Sequence, residues 1–267
     1  MQTPSPTGTV LDRILQARRT EVEHRKKVLP LTALKYGVKA ATPLRDFSAS
    51  LSKPGLNVIA ELKPASPSRG VIRDPFDPSE LARSLESAGA AALSVLTEGE
   101  FFGGSLKNLR DARKTSALPA LRKDFIFDPW QVWEARANDA DSFLLIAAAL
   151  SEAQLAELLT LGRELGMEPL VEVHTHEELD RVIAAGASII GVNNRDLKTL
   201  EVRVQTSFDL IEHIPESCIA VSESGLRTND DLVKFRAAGF DAFLIGEQLM
   251  LALDPAGALS MLLGHQG

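Results

Sequence analysis

Among 267 residues there is one cysteine, Cys218, and one tyrosine, and aromatic residues make up only 5%. A lone cysteine excludes an internal disulfide and fits a reducing compartment. No apolar run approaches the ~20 residues that a membrane-spanning helix needs. Positive charge is not in excess: 29 Lys and Arg stand against 36 Asp and Glu, a net charge of −7. That balance gives no general attraction to nucleic acid or to an anionic membrane. Met1-Gln2-Thr3-Pro4-Ser5-Pro6 lack the basic start and apolar stretch of a signal peptide, so a cytoplasmic location is expected. No G-x-G-x-x-G follows the first apolar run, which weakens a dinucleotide-binding, doubly wound sheet.

What the chain does have is alternation. Eight short apolar runs read as strands: NVIAEL from Asn57, AALSVL from Ala91, PALRKDF from Pro119, SFLLIA from Ser142, PLVEV from Pro169, SIIGV from Ser188, IAVS from Ile219 and AFLIG from Ala242. Several are apolar almost throughout, as strands covered on both faces are. Helix signals separate them. Asp77-Pro78-Ser79-Glu80 supplies a cap, a proline at the first helical position and an acid in the first turn. Thr175 to Glu178 reads as a capping box; Ser151 with Gln154, and Thr228, open two further helices. Gly89, Gly186 and Gly239 stand where a left-handed residue ends a helix before the next strand. Eight strand–helix units predict an α/β fold, a (β/α)8 barrel.

The barrel is expected over 57–267, with 1–53 as an N-terminal helical extension. Val10, Leu11, Ile14 and Leu15 predict a helix that runs on into the charged stretch from Arg18 to Lys27. Glu21 and Glu23 within that stretch favour a solvated helix face over a nucleic-acid patch. Thr42 to Lys53 reads as a lead into the first strand.

Polar residues gather where the apolar strands finish. Glu61 and Lys63 end the first, Thr97-Glu98 follow the second, and Arg122-Lys123-Asp124 end the third. Glu172 lies in the fifth, Asn193-Asn194-Arg195-Asp196 follow the sixth, Glu223-Ser224-Gly225 the seventh, and Gly246-Glu247 the eighth. One charge at a strand end is ordinarily a residue entering solvent. Repetition on successive strands, at the end where such barrels hold their active sites, points to a site. Glu61 and Lys63 are two apart and so share one side of their strand. If Glu172 also points inward, Val171 and Val173 face the helices. Lysines among carboxylates then form a pocket suited to general acid–base chemistry.

A phosphate site is suggested as well. Ser66-Pro67-Ser68-Arg69-Gly70 supplies hydroxyls and backbone N–H groups, and Gly225 and Gly246-Glu247 follow the strands where barrels of this kind often hold phosphate. His174 and His176 have a metal-ligand spacing, but no cysteine joins them and the helix start accounts for them. Cys218, Trp130 and Trp133 read as packing residues.

These stretches resemble one family. IAELKPASPSRG (Ile59–Gly70), SVLTE, FFGGS, LRKDFI, LVEVH, GVNNRDL, SESGL and LIGEQLM (Leu244–Met250) follow the order of the motifs of indole-3-glycerol-phosphate synthase. The resemblance implies ring closure, with loss of CO2 and water, of 1-(2-carboxyphenylamino)-1-deoxyribulose 5-phosphate, without metal or organic cofactor. It implies catalytic roles for Glu61, Lys63, Lys123, Glu172, Asn193, Glu223 and Ser224. It implies phosphate binding at Ser66, Gly225, Gly246 and Glu247, and substrate-carboxylate binding at Arg195. The implied partner is a small phosphorylated molecule, with no nucleic acid or membrane, and the chain is expected to be a monomer or weak oligomer. Pro64 departs from the pattern, standing where the family often carries a basic residue. Another phosphosugar barrel enzyme, an isomerase or a lysine Schiff-base aldolase, is the alternative.

Overall fold

Eight parallel strands close on themselves into a barrel. In this computed structural model, which describes residues 8–265, they are β1 Asn57–Leu62, β2 Ala92–Leu96, β3 Ala120–Lys123, β4 Ser142–Ile146, β5 Leu170–Val173, β6 Ile189–Asn193, β7 Ile219–Glu223 and β8 Ala242–Ile245. Neighbours in sequence pair in parallel around the ring, and Asn57 to Ala60 close it against Ala242 to Ile245. The expected (β/α)8 barrel is therefore the observed fold. The reading of Met1 to Pro6 lies outside the described residues.

Ahead of the barrel come α1 Val10–Val28, α2 Leu31–Ala40 and the short α3 Phe47–Leu51. The connections carry α4 Pro78–Ser87, α5 Leu106–Thr115, α6 Pro129–Ala137, α7 Glu152–Glu164, α8 His176–Ala184, α9 Gln205–Ile211 and α10 Asn229–Ala238, and α11 Glu247–Leu251 and α12 Pro255–Leu262 follow β8. The local signals act as expected at most of these. Asp77 caps α4, and capping boxes open α7 at Ser151 and α10 at Thr228. Gly89, Gly186 and Gly239 take φ of 98°, 80° and 115°. The box at Thr175 is different: Thr175 accepts from the Glu178 N–H, but the Glu178 carboxylate accepts from the His174 N–H at 2.7 Å.

Two layers of apolar residues divide the strands by parity. Val58, Ala60, Leu62, Val171 and Val173 pack outward against the helices. Ile59, Leu121, Leu144, Leu170, Ile189, Val221 and Leu244 fill the barrel. Phe47 and Leu51 of α3 join that inner cluster and stop its N-terminal end. The segment Thr42–Lys53 is thus a plug as well as a lead-in, and each of its two buried apolar side chains contributes about 1.5–3 kcal/mol.

The charged stretch of α1 is the expected solvated face only in part: Glu21, Glu23, His24 and Lys27 are exposed, while one stripe is buried. Arg18 is 1% exposed and donates to Asp124 from Nε at 2.9 Å and Nη2 at 2.7 Å. Arg25 reaches Glu134 at 2.5 Å and Lys26 reaches Asp128 at 2.8 Å. Ile14, Arg18, Val22 and Arg25 recur every third or fourth residue, so one helical stripe docks on the barrel. Trp130 is buried beneath α1 and α2 and donates from its indole to Leu29 O at 2.9 Å, a packing role as expected. Cys218 is a free thiol packed against the outer core, and its Sγ lies 3.4 Å from Ala187 O.

Candidate active site

The change from core to site happens within single strands. Glu61 lies two residues beyond inward-facing Ile59, Lys123 two beyond Leu121, Glu172 two beyond Leu170 and Glu223 two beyond Val221. The same parity that fills the barrel with aliphatics therefore aims these four charges at its axis. Register completes the layer, with Glu172 beside Gly191, and Asn193 beside Glu223.

Two lysine–carboxylate groups result. Lys123 Nζ lies 2.7 Å from Glu223 and 3.3 Å from Glu172. Lys63 Nζ lies 2.7 Å from Glu61. Both groups line one cavity of about 610 Å³, at the C-terminal ends of the strands, and every site residue expected from the sequence lines it too. Apolar walls come from Phe102, Phe125, Leu144 and Ile146, and from Val10, Leu11 and Ile14 of α1.

Burial and charge set the protonation states. Burial opposes the charge on Lys123, but Glu223, Glu172 and Glu61 outweigh it and raise its proton affinity above the ordinary lysine range. Burial likewise opposes ionisation of Glu61 and Glu172. Lys63 and Lys123 hold Glu61 low, and Lys123, His174 and Asn193 hold Glu172 low. Glu223 moves the other way: burial and its anionic neighbours Glu172 and Glu61 push it up against the pull of Lys123. It is the carboxylate of the three that accepts a proton first.

Room for the carboxylates comes from glycine. A Cβ on Gly191 would overlap the Glu223 carboxylate, and one on Gly246 would overlap that of Glu61. On the far side of the cavity, Ser224 and Gly225 take positive φ of 66° and 85° in succession. A non-glycine residue there is strained, and the turn is held by Asn194, whose Nδ2 donates to Ser224 O at 3.0 Å. Glu247 starts α11 with its carboxylate 2.6 Å from Arg69 and 3.6 Å from Arg195. Arg195 also donates from its N–H to Asn193 Oδ1 at 3.0 Å. Ser66 Oγ pairs with Ser68 Oγ at 3.3 Å in a small hairpin that joins Ala65–Ser66 to Gly70–Val71.

Some polar strand ends serve structure. Glu98 accepts from the N–H groups of Glu100, Phe101 and Phe102 and so holds the turn after β2. Pro64 packs against Gly103, and its carbonyl accepts from Ile72 and Arg73. The sequence reading names Asp124 and His174 without these roles and does not connect Arg18 to the site. Arg18 and Asp124 brace the end of β3 beside Lys123, and His174 lies 3.3 Å from Glu172. For His174 a signal existed, since parity puts it two residues from Glu172; the nearby helix start hid it. Among the described residues, no group of three or more His, Cys, Asp or Glu is placed to hold a metal ion.

Fold and site together define a (β/α)8 barrel with a lysine–carboxylate cluster in a cavity at the C-terminal ends of the strands. Residues 11–262 match the family model described as indole-3-glycerol phosphate synthase. The chain belongs to that family. The indole-3-glycerol phosphate synthase of Mycobacteroides abscessus is 48% identical over 254 residues, 95% of this chain and 93% of the relative. That of Rhodococcus opacus is 48% identical over 252 residues, 94% of each. More distant structures share the fold alone. A 3-hexulose-6-phosphate synthase superposes with a TM-score of 0.61 at 15% identity, over 80% of this chain and 100% of that one. Thiamine phosphate pyrophosphorylase from Pyrococcus furiosus gives 0.57 at 18% identity, over 79% of this chain and 95% of that one.

Proposed function

We propose that the chain closes the indole ring: it converts 1-(2-carboxyphenylamino)-1-deoxyribulose 5-phosphate into indole-3-glycerol phosphate, CO2 and water, a carboxy-lyase step of tryptophan biosynthesis. The observation that carries this is the pair of lysine–carboxylate groups facing one cavity, Lys123 with Glu172 and Glu223, and Lys63 with Glu61. The reaction has two proton-dependent stages, and each takes its proton from one of the two lysines.

In the first stage the ring carbon bearing the carboxylate attacks the ketone. A carbon–carbon bond forms, and the ketone oxygen takes a proton from Lys123. Its raised proton affinity keeps Lys123 charged to polarise that oxygen. CO2 then leaves, and its bonding electrons restore the aromatic ring. In the second stage the new hydroxyl leaves as water with a proton from Lys63. The nitrogen becomes a cationic iminium, which the held anion of Glu172 stabilises. Glu61, 2.7 Å from Lys63, takes the carbon-bound proton and completes the indole; Lys63 has by then given up its own proton, and with it the nearest charge that held Glu61 low. Glu223 and Asn193 orient Lys123 and Glu172, and Ser224 orients the substrate.

Phosphate binding falls to the Ser66 hydroxyl and the backbone N–H groups of Gly225, Gly246 and Glu247, where glycine lets an anion approach the backbone. Arg195 takes the substrate carboxylate. We place the enzyme in the cytoplasm as a monomer or weak oligomer. Its single cysteine, as suits a reducing compartment, supports the cytoplasmic placement. The test is to mix the protein with the carboxyphenylamino-deoxyribulose phosphate and follow indole fluorescence. Fluorescence should rise with enzyme concentration; folded protein that yields no product overturns the reading.

A further inference from the structure

His174 follows β5 directly and precedes Thr175, the residue that caps α8. Its ring is mostly buried, with Nε2 3.3 Å from Glu172 Oε1 and Nδ1 3.4 Å from Glu178 Oε2. Capping does not require this ring. Thr175 already accepts from the Glu178 N–H, and the His174 backbone N–H already donates to the Glu178 carboxylate. The imidazole goes further, reaching inward to a carboxylate at the barrel axis. Its Nε2 is buried and has no hydrogen-bond partner; what it meets is the charge of Glu172, at ion-pair distance.

We propose that His174 is a positioning residue of the ring closure: as an imidazolium it bridges Glu178 on α8 to Glu172 and holds the Glu172 carboxylate, oriented and ionised, opposite Lys123. The inference rests on the role given above to Glu172.

Charge balance supports it. Glu61, Glu172 and Glu223 are three buried carboxylates facing two lysines, Lys63 and Lys123. Glu178 adds a fourth carboxylate beside the ring, so an imidazolium at His174 offsets part of an excess of negative charge that the two lysines leave, and a buried unpaired charge is strongly unfavourable. Each oxygen of Glu172 also has its own cation, Oε2 facing Lys123 and Oε1 facing His174. Two cations on opposite oxygens fix the plane of a carboxylate where one would let it rotate. Burial alone would lower the His174 proton affinity, but Glu172 and Glu178 raise it to about 10. A carboxylate so held is a poor base and a good electrostatic partner for a cationic intermediate.

Two measurements decide the matter. In the first, nitrogen NMR of labelled histidine follows the ring through a pH titration, with His174 assigned by its disappearance in H174Q. The ring should remain an imidazolium well above the ordinary midpoint near ~6.5, and that midpoint should fall in E172Q and in E178Q. A ring that titrates in the ordinary range, or ignores E172Q, overturns the bridge whatever the activity. In the second, kcat for indole formation should fall at least ~10-fold in H174Q, as misplaced groups require, with KM changed less than threefold. E178Q should fall in the same direction. The acid limb of kcat should move to higher pH in H174Q, because Glu172 then keeps only Lys123 and Asn193 against its neighbours Glu61 and Glu223. Adding H174Q to E172Q should cost almost nothing further. An unchanged kcat and pH profile in H174Q, or an equal loss in the E172Q background, overturns the positioning role. A wild-type protein that makes no product overturns the functional reading instead, and shows this before any variant is compared.

Discussion

Arg18 and Asp124, 106 positions apart, meet through two hydrogen bonds of 2.9 and 2.7 Å from which water is excluded. Asp124 also accepts from Arg122 and Thr97, and Arg122 continues to Glu134. This chain of charges fastens α1 to the end of β3, the strand that delivers Lys123. Removing Arg18 leaves the buried Asp124 to share Arg122 with Glu134, so the network loses a full positive charge it is built around. Arg18→Ala should therefore lower stability by about 3–5 kcal/mol in a urea titration. A loss under ~1 kcal/mol, the scale of an exposed ion pair, would show that the network does not hold the extension.

Asp124 also predicts an acid limb of stability. Burial opposes its charge, but Arg122 and Arg18 lower its pKa from 3.8 to about 2. A depressed folded-state pKa adds stability that is present above pH ~4 and is lost as pH falls toward ~2. The contribution is on the order of 2 kcal/mol. Asp124→Asn should be less stable at neutral pH and show a flatter decline between pH 4 and 2. An unaltered acid profile would remove Asp124 from the account.

Lys123→Met should reduce kcat at least ~100-fold, the usual scale for a positioned proton donor. Indole fluorescence reads the rate, and circular dichroism confirms that the variant, with Glu172 and Glu223 left partly unpaired, is folded. Near-normal turnover would assign the ketone proton elsewhere.

Gly191→Ala tests the seat of Glu223. The added methyl overlaps the carboxylate, so Glu223 must move from its 2.7 Å contact with Lys123. Overpacking of this size costs about 1–3 kcal/mol, while kcat should fall by ~10–100-fold through misplacement. The same substitution in Glu223→Gln should do less. Additive losses would mean that Gly191 acts on something else.

Ser224→Gly separates strain from chemistry. Relief of the left-handed backbone gains about 1–2 kcal/mol, and glycine's extra freedom when unfolded costs about 0.5–1 kcal/mol. Thermal stability should hold or rise slightly, while kcat/KM falls with the lost hydroxyl. Full activity would show that this residue serves only the turn.

Much of the site was legible because parity is a local property. Ile59 then Glu61, Leu121 then Lys123, and Leu170 then Glu172 can be read from sequence alone, as can the glycines that end the helices. Gly191 stood inside a strand motif, but its purpose depends on a carboxylate from the next strand. The Thr175 box was misread because the Glu178 carboxylate has two possible backbone donors and takes the one nearer the barrel.

The sequence by itself determined the alternation of strand and helix, the face each strand turns inward and the end at which its charges fall, since these follow from periods of 2 and 3.6 residues. Only the tertiary structure decided which charges meet. The stretch from Arg18 to Lys27 looks solvated when read alone because a helix does not reveal what it packs against. Asp124, Glu134 and Asp128 turn part of it into a buried joint. His174 looks like part of a helix start until β5 and α8 place carboxylates on both sides of its ring. Electrostatic pairing acts across space, and the distances that decide it are fixed only when the barrel closes.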